Sequence, residues 1–316
     1  MFVLWITNRG QETAKRLASV RKDACILRYE RKWVAEAFRQ RRPLVFIGAC
    51  GIAVRAVAPF LQHKSQDPPV LVIDESARFV ISLLSGHLGG ANALAQELAQ
   101  LLGATPVITT ASDLRGLPAL DLWLRENDVL LDDWPLLKEL QARLLERSLG
   151  VYLEPPLNLP LPQRLCLTSE AEADFVLTYR PLKGRKSFLV QALALGVGFH
   201  DHENALAKKV LQGLRKFDLE PLAVKYVATI SRRQGNALED LARTLQAEIR
   251  LFSPEELQQV KVPSPSKAQK ALGLPGVAEP CALLAAEYGP LILRKQILDG
   301  VTLAVALRRK FVEEKP

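Results

Sequence analysis

Residues Pro69 to Gly103 read PVLVIDESARFVISLLSGHLGGANALAQELAQLLG. Two apolar segments of strand character are joined by Glu75-Ser76-Ala77-Arg78, which predicts a β-hairpin over 69–85. A glycine-rich segment follows, and 88–102 then carries alanine, leucine and glutamine at helical spacing as far as Gly103, a typical helix stop. A hairpin followed directly by an amphipathic helix indicates a layered α/β domain.

The rest of the chain supplies further strands and helices. In the N-terminal third, apolar runs predict strands at 2–8, 25–29, 43–49 and 106–111, and helical patterns lie at 12–20, 31–41 and 52–61. After Asp128 a helix at 136–148 precedes a proline-rich stretch, and short strands follow at 164–168 and 174–179. The C-terminal part restarts the α/β pattern, with strands at 189–198, 223–230 and 248–253, helices at 204–216, 237–247 and 276–288, and a closing hairpin about Asp299-Gly300.

The sequence therefore predicts an α/β fold in which two layered α/β domains are joined by a small middle module. We place the N-terminal domain at 1–127, the middle module and linker at 128–186 and the C-terminal domain at 187–316. A ligand bound between the two large domains is expected, because clefts between domains are common ligand sites.

Composition narrows the class of protein. The 316 residues are 48% hydrophobic and 24% charged, as in ordered globular proteins. No apolar run approaches the ~18 residues of a membrane span, and the N-terminus lacks the basic leader of a signal peptide. Four widely spaced cysteines favour a reducing compartment. We therefore expect a cytoplasmic protein that binds no membrane.

The net charge of +8 suits a polyanionic partner. A nucleic acid is not expected, because aromatic residues make up only 6% of the chain and no stacking motif occurs. His200-Asp201-His202 has the spacing of a weak metal pair, but no cysteine or third histidine lies nearby, so no metal site is predicted.

A first candidate site lies where a strand passes into a helix, at Gly48-Ala49-Cys50-Gly51. Free backbone N–H groups and the helix dipole can receive an anion at such a junction, and Arg55, one turn later, can pair with a carboxylate. The alternatives are a tight turn made by the glycines and a helix-surface salt bridge made by Arg55.

The second candidate site is the segment Ser85-Gly86-His87-Leu88-Gly89-Gly90-Ala91-Asn92. Its glycines allow a ligand to approach the backbone closely, and the single histidine can act as acid or base. Thr110 and Asp113 follow a predicted strand, where ligands of open α/β sheets bind, and Asp113 can act as a base or orient water. Helix capping is the alternative for both segments.

Four motifs together resemble the cobalt-precorrin-5A hydrolase (CbiG) family of anaerobic cobalamin biosynthesis. They are GIAVRA (51–56), a strand segment with Asp-Pro-Pro (67–69) and Val-Ile-Asp-Glu (72–75), SGHLGGAN (85–92) and PVITTASD (106–113). LGVGF (195–199), GLPGVAE (273–279) and the closing VTLAVALRR (301–309) are similar to the C-terminal domain of that family. The resemblance covers most of the chain.

The resemblance implies an acetaldehyde-forming hydrolase that acts on a carbon–carbon bond. Such an enzyme opens the δ-lactone of cobalt-precorrin-5A, a ring-contracted tetrapyrrole, and gives cobalt-precorrin-5B. The cobalt is part of the substrate, so no cofactor is expected, and other enzymes of the corrin pathway are possible partners. A non-catalytic corrinoid carrier of the same pathway is the alternative.

At the family's motif positions we expect His87 as the general base and Asp113 as its partner. The residues expected to bind substrate are Gly48, Gly51, Arg55, Ser85, Gly86, Gly89, Gly90, Asn92 and Thr110. The chain departs from the family at Phe199-His200-Asp201-His202 and at 231–236. These departures favour a binding or dimerisation role for the C-terminal domain.

Overall fold

The computed structural model describes residues 1–63, 66–110, 117, 119–181, 184–200, 205–233, 235–264 and 275–312. The chain forms two compact units, Met1–Trp123 and Leu124–Pro316. The first holds one β-sheet and the second holds two, so the structure is α/β as predicted. The domain boundaries predicted at 127/128 and 186/187 stay predictions.

The first unit contains a six-stranded sheet with helices on both faces. Its strands, in the spatial order β2-β1-β3-β4-β5-β6, are β1 (Phe2–Trp5), β2 (Cys25–Arg28), β3 (Leu44–Ile47), β4 (Val70–Ile73), β5 (Phe79–Leu84) and β6 (Thr105–Val107). The helices are α1 (Asn8–Val20), α2 (Arg31–Gln40), α3 (Cys50–Val57), α4 (Ala91–Leu102) and α5 (Leu120–Glu126), which continues past Trp123.

Alternating side chains of the central strands build two apolar layers. Val3, Val45 and Leu71 pack on the face covered by α1 and α4. Their neighbours Leu4, Phe46 and Val72 pack on the face covered by α2 and α3. The period-two pattern of a strand therefore produces a three-layer α/β/α sandwich whose sheet is buried on both faces.

Strand β5 reverses the direction of the sheet. Strands β1 to β4 are mutually parallel, β5 runs antiparallel to β4, and β6 is parallel to β5. The predicted β4–β5 hairpin is thus confirmed. Asp74 fixes its turn by accepting hydrogen bonds from the N–H groups of Arg78 and Phe79, both at 2.7 Å. The segments that follow β5 and β6 consequently lie at the end of the sheet at which strand β4 begins.

Several element ends differ from the prediction. Helix α1 begins at Asn8, because the Thr7 hydroxyl caps it by accepting from the Gly10 N–H at 3.1 Å. Helix α4 begins at Ala91, because Gly90 has a left-handed backbone with φ of 84°. It ends as predicted at Gly103, also left-handed. Part of the strand predicted at 106–111 lies outside the described residues.

The second unit contains a four-stranded parallel sheet in the order β10-β9-β7-β8 and a five-stranded sheet in the order β13-β12-β11-β15-β14. The strands are β7 (Leu149–Leu153), β8 (Leu165–Leu167), β9 (Phe175–Thr178), β10 (Ser187–Leu189), β11 (Leu193–Gly198), β12 (Val224–Ile230), β13 (Glu248–Phe252), β14 (Leu291–Leu298) and β15 (Val301–Leu307). The helices are α6 (Trp134–Glu146), α7 (Leu206–Lys216), α8 (Asn236–Leu245), α9 (Pro254–Gln258) and α10 (Ala278–Ala285).

The five-stranded sheet confirms the closing hairpin, in which β14 and β15 are antiparallel about Asp299-Gly300. Strand β7 was not predicted. The single strand predicted at 189–198 is wrong in its first part: β10 ends at Leu189 within the four-stranded sheet, and β11 starts at Leu193 in the other. The backbone between them turns away, and the N–H of Gln191 donates to the carbonyl of Asp128 at 2.9 Å.

Candidate active site

The segment between β5 and α4 is a compact loop closed by its own backbone. We call residues 85–90 the glycine–histidine loop. At its base the N–H of Ala91 donates to the Ser85 carbonyl at 3.1 Å, and within it the N–H of Gly90 donates to the His87 carbonyl at 2.9 Å. A Cβ atom at Gly89 would lie 2.7 Å from the Ser85 carbonyl oxygen. Only glycine therefore fits this position without moving the backbone.

Asn92 anchors the loop to the strands around it. Its side chain is buried, accepts a hydrogen bond from Ser82 Oγ at 2.7 Å and donates from Nδ2 to Thr110 Oγ1 at 3.1 Å. Its backbone N–H donates to the Gly86 carbonyl at 3.0 Å. Asn92 thus connects β5, the glycine–histidine loop and the segment after β6.

The loop holds His87 against a carboxylate. Nδ1 of His87 lies 3.6 Å from Oδ1 of Asp121, and both side chains are largely buried, with exposed fractions of 13% and 5%. Asp121 is in the first turn of α5, where its Oδ1 accepts the Leu122 N–H at 3.0 Å. At 3.6 Å the contact is longer than a hydrogen bond. Catalytic contacts of this kind often shorten only when substrate is bound.

Asp121 was not among the predicted site residues. No motif in the sequence connects it to the loop, and no helix at 120–126 was predicted. Asp113, the predicted partner of His87, lies outside the described residues. The described residues thus give His87 an acidic neighbour different from the one the sequence suggested.

Two backbone donors of the loop have no acceptor in the part of the chain that the structure describes. Among the described residues, the N–H groups of Gly86 and Gly89 donate to no protein atom, whereas the N–H of Gly90 is used within the loop. Free N–H groups beside a histidine can stabilise negative charge on an oxygen while the imidazole moves a proton. That combination suits hydrolysis of an ester or lactone.

The other predicted binding residues lie at the opposite end of the sheet, where strands β3 and β4 end. The N–H of Gly48, at the carboxyl end of β3, donates to the Ile73 carbonyl at 2.9 Å. Arg55 is exposed and turns back along its own helix, where Nη1 donates to the Gly51 carbonyl at 3.0 Å. The length of the four-residue strand β3, about 10 Å, separates this end from the one that carries the glycine–histidine loop.

The structure therefore divides the predicted residues into two groups. Those that it brings together are Ser85, Gly86, His87, Gly89, Gly90, Asn92 and Thr110. Ser85 supports the loop, since its Oγ donates to the Asp67 carbonyl at 2.9 Å. Gly48, Gly51 and Arg55 form the second group, at the far end.

The described residues contain no group of three His, Cys, Asp or Glu side chains that could hold a metal ion. Asp201 and His202 lie outside the described part of the chain. The helices that the structure describes include none with the length and apolar character of a membrane span.

An α/β fold that holds a largely buried histidine beside a carboxylate is compatible with a hydrolase. The family follows from comparison with known proteins. The model for the N-terminal domain of cobalamin synthesis protein G matches residues 32–113, and the model for its C-terminus matches 193–306. The cobalt-precorrin-5A hydrolase of Priestia megaterium is 32% identical over 85% of this chain and 79% of its own length. That of Salmonella typhimurium is also 32% identical, over 96% of both chains.

The chain therefore belongs to the cobalt-precorrin-5A hydrolase (CbiG) family, as its motifs suggested. Among solved structures, the crystal structure of a cobalamin biosynthesis protein G homolog from Sulfolobus solfataricus matches 98% of this chain and 97% of that chain. The sequence identity is 23% and the TM-score is 0.40.

Proposed function

We propose that this protein hydrolyses cobalt-precorrin-5A, opening its δ-lactone and releasing the extruded two-carbon fragment as acetaldehyde to give cobalt-precorrin-5B. Two relatives at 32% identity carry the name of this enzyme. The observation that carries the mechanism is the largely buried contact between Asp121 and His87, whose loop has two N–H groups, of Gly86 and Gly89, without an acceptor among the described residues.

In the first step His87 acts as the general base. It takes a proton from a water molecule whose oxygen attacks the lactone carbonyl carbon, and the carbonyl electron pair moves onto the oxygen. The N–H groups of Gly86 and Gly89 stabilise this oxyanion. The Asp121 carboxylate stabilises the imidazolium that forms, because an opposite charge within ~4–6 Å favours the charged form of a base.

Collapse of the tetrahedral intermediate breaks the ester C–O bond and leaves a carboxylic acid and an alkoxide. The alkoxide oxygen then forms the carbonyl of acetaldehyde. The C–C bond to the macrocycle breaks, its electron pair passes to the ring, and the ring takes up the proton that His87 removed from water. The cobalt belongs to the substrate in this proposal, and the protein contributes no cofactor of its own.

The test is anaerobic incubation of the purified chain with cobalt-precorrin-5A, with acetaldehyde measured through NADH oxidation by alcohol dehydrogenase. We expect one acetaldehyde per corrinoid consumed, dependent on enzyme. Tight binding of the corrinoid without acetaldehyde would contradict the hydrolase and support a carrier.

A further inference from the structure

The second unit has a groove between helix α7 and the end of strand β14, far along the chain from the glycine–histidine loop. Its volume is about 470 Å³. We call it the lysine groove, because Lys208, Lys209 and Lys216 line it together with Gly213, Leu298 and Asp299.

Among the described residues, a carboxylate pairs with one of the three lysines, Lys209. Nζ of Lys209 lies 3.1 Å from Oδ2 of Asp299 and donates to the carbonyl of the same residue at 2.7 Å. Lys208 and Lys216 are exposed, and within the described ranges neither has a carboxylate within 4.0 Å. Within the part of the chain that the structure describes, the groove therefore presents two positive charges that no carboxylate pairs with.

The spacing of the two charges sets the size of a ligand that can use both. Lys208 and Lys216 are eight positions apart on one helix, which at 1.5 Å per residue is about 12 Å along its axis. A small anion reaches only one of them. A ligand with several carboxylates spread around a large framework reaches both.

The floor between the lysines is apolar. Gly213 is buried, and a Cβ atom there would lie 2.7 Å from Cδ2 of Leu303, so the glycine lets the helix lie against the hairpin. Leu298 completes the floor. A cationic rim around an apolar floor matches a macrocycle that is apolar in its ring and anionic at its periphery.

One end of the groove, at Lys209 and Asp299, lies at the carboxyl end of strand β11. Gly198, at the carboxyl end of β11, pairs with Thr302, so the Asp299-Gly300 turn belongs to that end of the sheet. Crevices outside the carboxyl ends of parallel strands are the usual ligand sites of such sheets.

We propose that the lysine groove binds the peripheral carboxylates of a corrinoid. The inference rests on the proposed function, because the carboxylate-bearing macrocycle is taken from it.

The test is a binding titration of the full chain with dicyanocobyrinic acid, whose side chains are free carboxylates. Dicyanocobinamide, whose side chains are amides, serves as the ligand control. We expect the Lys208→Gln/Lys216→Gln variant to bind the acid roughly threefold to thirtyfold more weakly. We also expect its affinity to depend less on salt. Lys138→Gln, which removes an exposed charge from α6 in the same unit, is the matched control and should bind like the wild type.

Lysine acetylation with mass-spectrometric readout locates the ligand. Dicyanocobyrinic acid should slow acetylation of Lys208 and Lys216 and leave Lys138 unchanged. Equal affinity of the double variant and the wild type, or equally tight binding of dicyanocobinamide, would overturn the inference.

Acetaldehyde release by the wild type separates the two proposals. If the wild type releases acetaldehyde and the double variant binds dicyanocobyrinic acid as tightly as the wild type, the groove proposal is rejected and the hydrolase proposal stands. If the two lysines are needed to bind the acid but the wild type releases no acetaldehyde, the hydrolase proposal is rejected and the groove proposal stands.

Discussion

Nδ1 of His87 and Oδ1 of Asp121 lie 3.6 Å apart, and they come from two segments that no sequence motif connects. His87 is held by a loop that closes on its own backbone, and Asp121 by the first turn of α5. The contact places the His87 imidazole, which can exchange a proton, beside the Asp121 carboxylate, which can stabilise the imidazolium. Its chemistry can be tested one residue at a time.

Replacement of His87 by asparagine should abolish most of the activity, because the amide cannot accept the proton of the attacking water. We expect kcat for acetaldehyde release to fall roughly 10²–10⁴-fold. His63→Asn, at an exposed histidine of the same unit, is the matched control and should retain wild-type turnover. Turnover within a factor of two in the His87→Asn variant would exclude His87 as the base.

Asp121→Asn should lower the rate of the chemical step. The carboxylate stabilises the imidazolium that forms when His87 takes the proton of the attacking water, and the neutral amide does not. We expect kcat for acetaldehyde release to fall about tenfold. Asp133→Asn, at the N-cap of α6, should leave kcat unchanged. Wild-type turnover in the Asp121→Asn variant would limit Asp121 to a structural role.

Asn92→Ala should destabilise the first unit. The substitution removes the acceptor of Ser82 Oγ and the donor to Thr110 Oγ1 at a buried position. Loss of a buried polar partner costs about 1–3 kcal/mol of unfolding free energy, measurable by urea denaturation. The control is Asn8→Ala, at an exposed residue of α1, which should stay within about 0.5 kcal/mol of the wild type.

Gly196→Ala should prevent helix α10 from packing on strand β11. A Cβ atom there would overlap the Ala278 carbonyl oxygen and lie 2.6 Å from the Ala282 nitrogen. Both atoms belong to the helix backbone, so relief requires the helix to move, at a cost of about 3 kcal/mol or more. Gly235→Ala is the control, since a Cβ atom at Gly235 would have no neighbour within 4 Å. Thermal unfolding of the two variants should differ clearly, and equal melting temperatures would contradict the close helix–strand contact.

Asp174 should make the second unit sensitive to acid. Hydrogen bonds from Arg147, and the charge of Arg143, hold the pKa of the Asp174 carboxyl below its ordinary value. A carboxyl whose pKa is lower in the folded than in the unfolded protein stabilises the fold at pH values above its unfolded-state pKa, about 4. This stabilisation is lost as the pH falls through the folded-state pKa. Asp174→Asn should therefore flatten the fall in unfolding free energy below about pH 4. Asp240→Asn, at an exposed residue, should keep the wild-type slope.

Local patterns predicted much of the fold. Gly103 ended α4, and the Asp299-Gly300 turn joined β14 to β15. Each of these features depends on a few adjacent residues. Strand β7 was missed because its five residues directly follow a helix and precede a proline-rich stretch, which left little room for an independent strand pattern.

The arrangement of the site was harder to predict, because it depends on strand direction. The β4–β5 hairpin was predicted, yet its consequence is only apparent once the sheet is assembled: the segment after β5 emerges at the start of β4. The loop with His87 is consequently separated from Gly48 and Arg55. The pairing of His87 with Asp121 depends on where α5 packs, and no local pattern contains that information.

The self-closed backbone of the glycine–histidine loop determines which segments could replace it. Its first residue, Ser85, accepts a hydrogen bond from the N–H of Ala91, the first residue of α4, so the two ends of the loop are held together beside the sheet. A loop grafted between β5 and α4 would need this bond, the Ser85 hydroxyl that reaches the Asp67 carbonyl, and glycine at position 89.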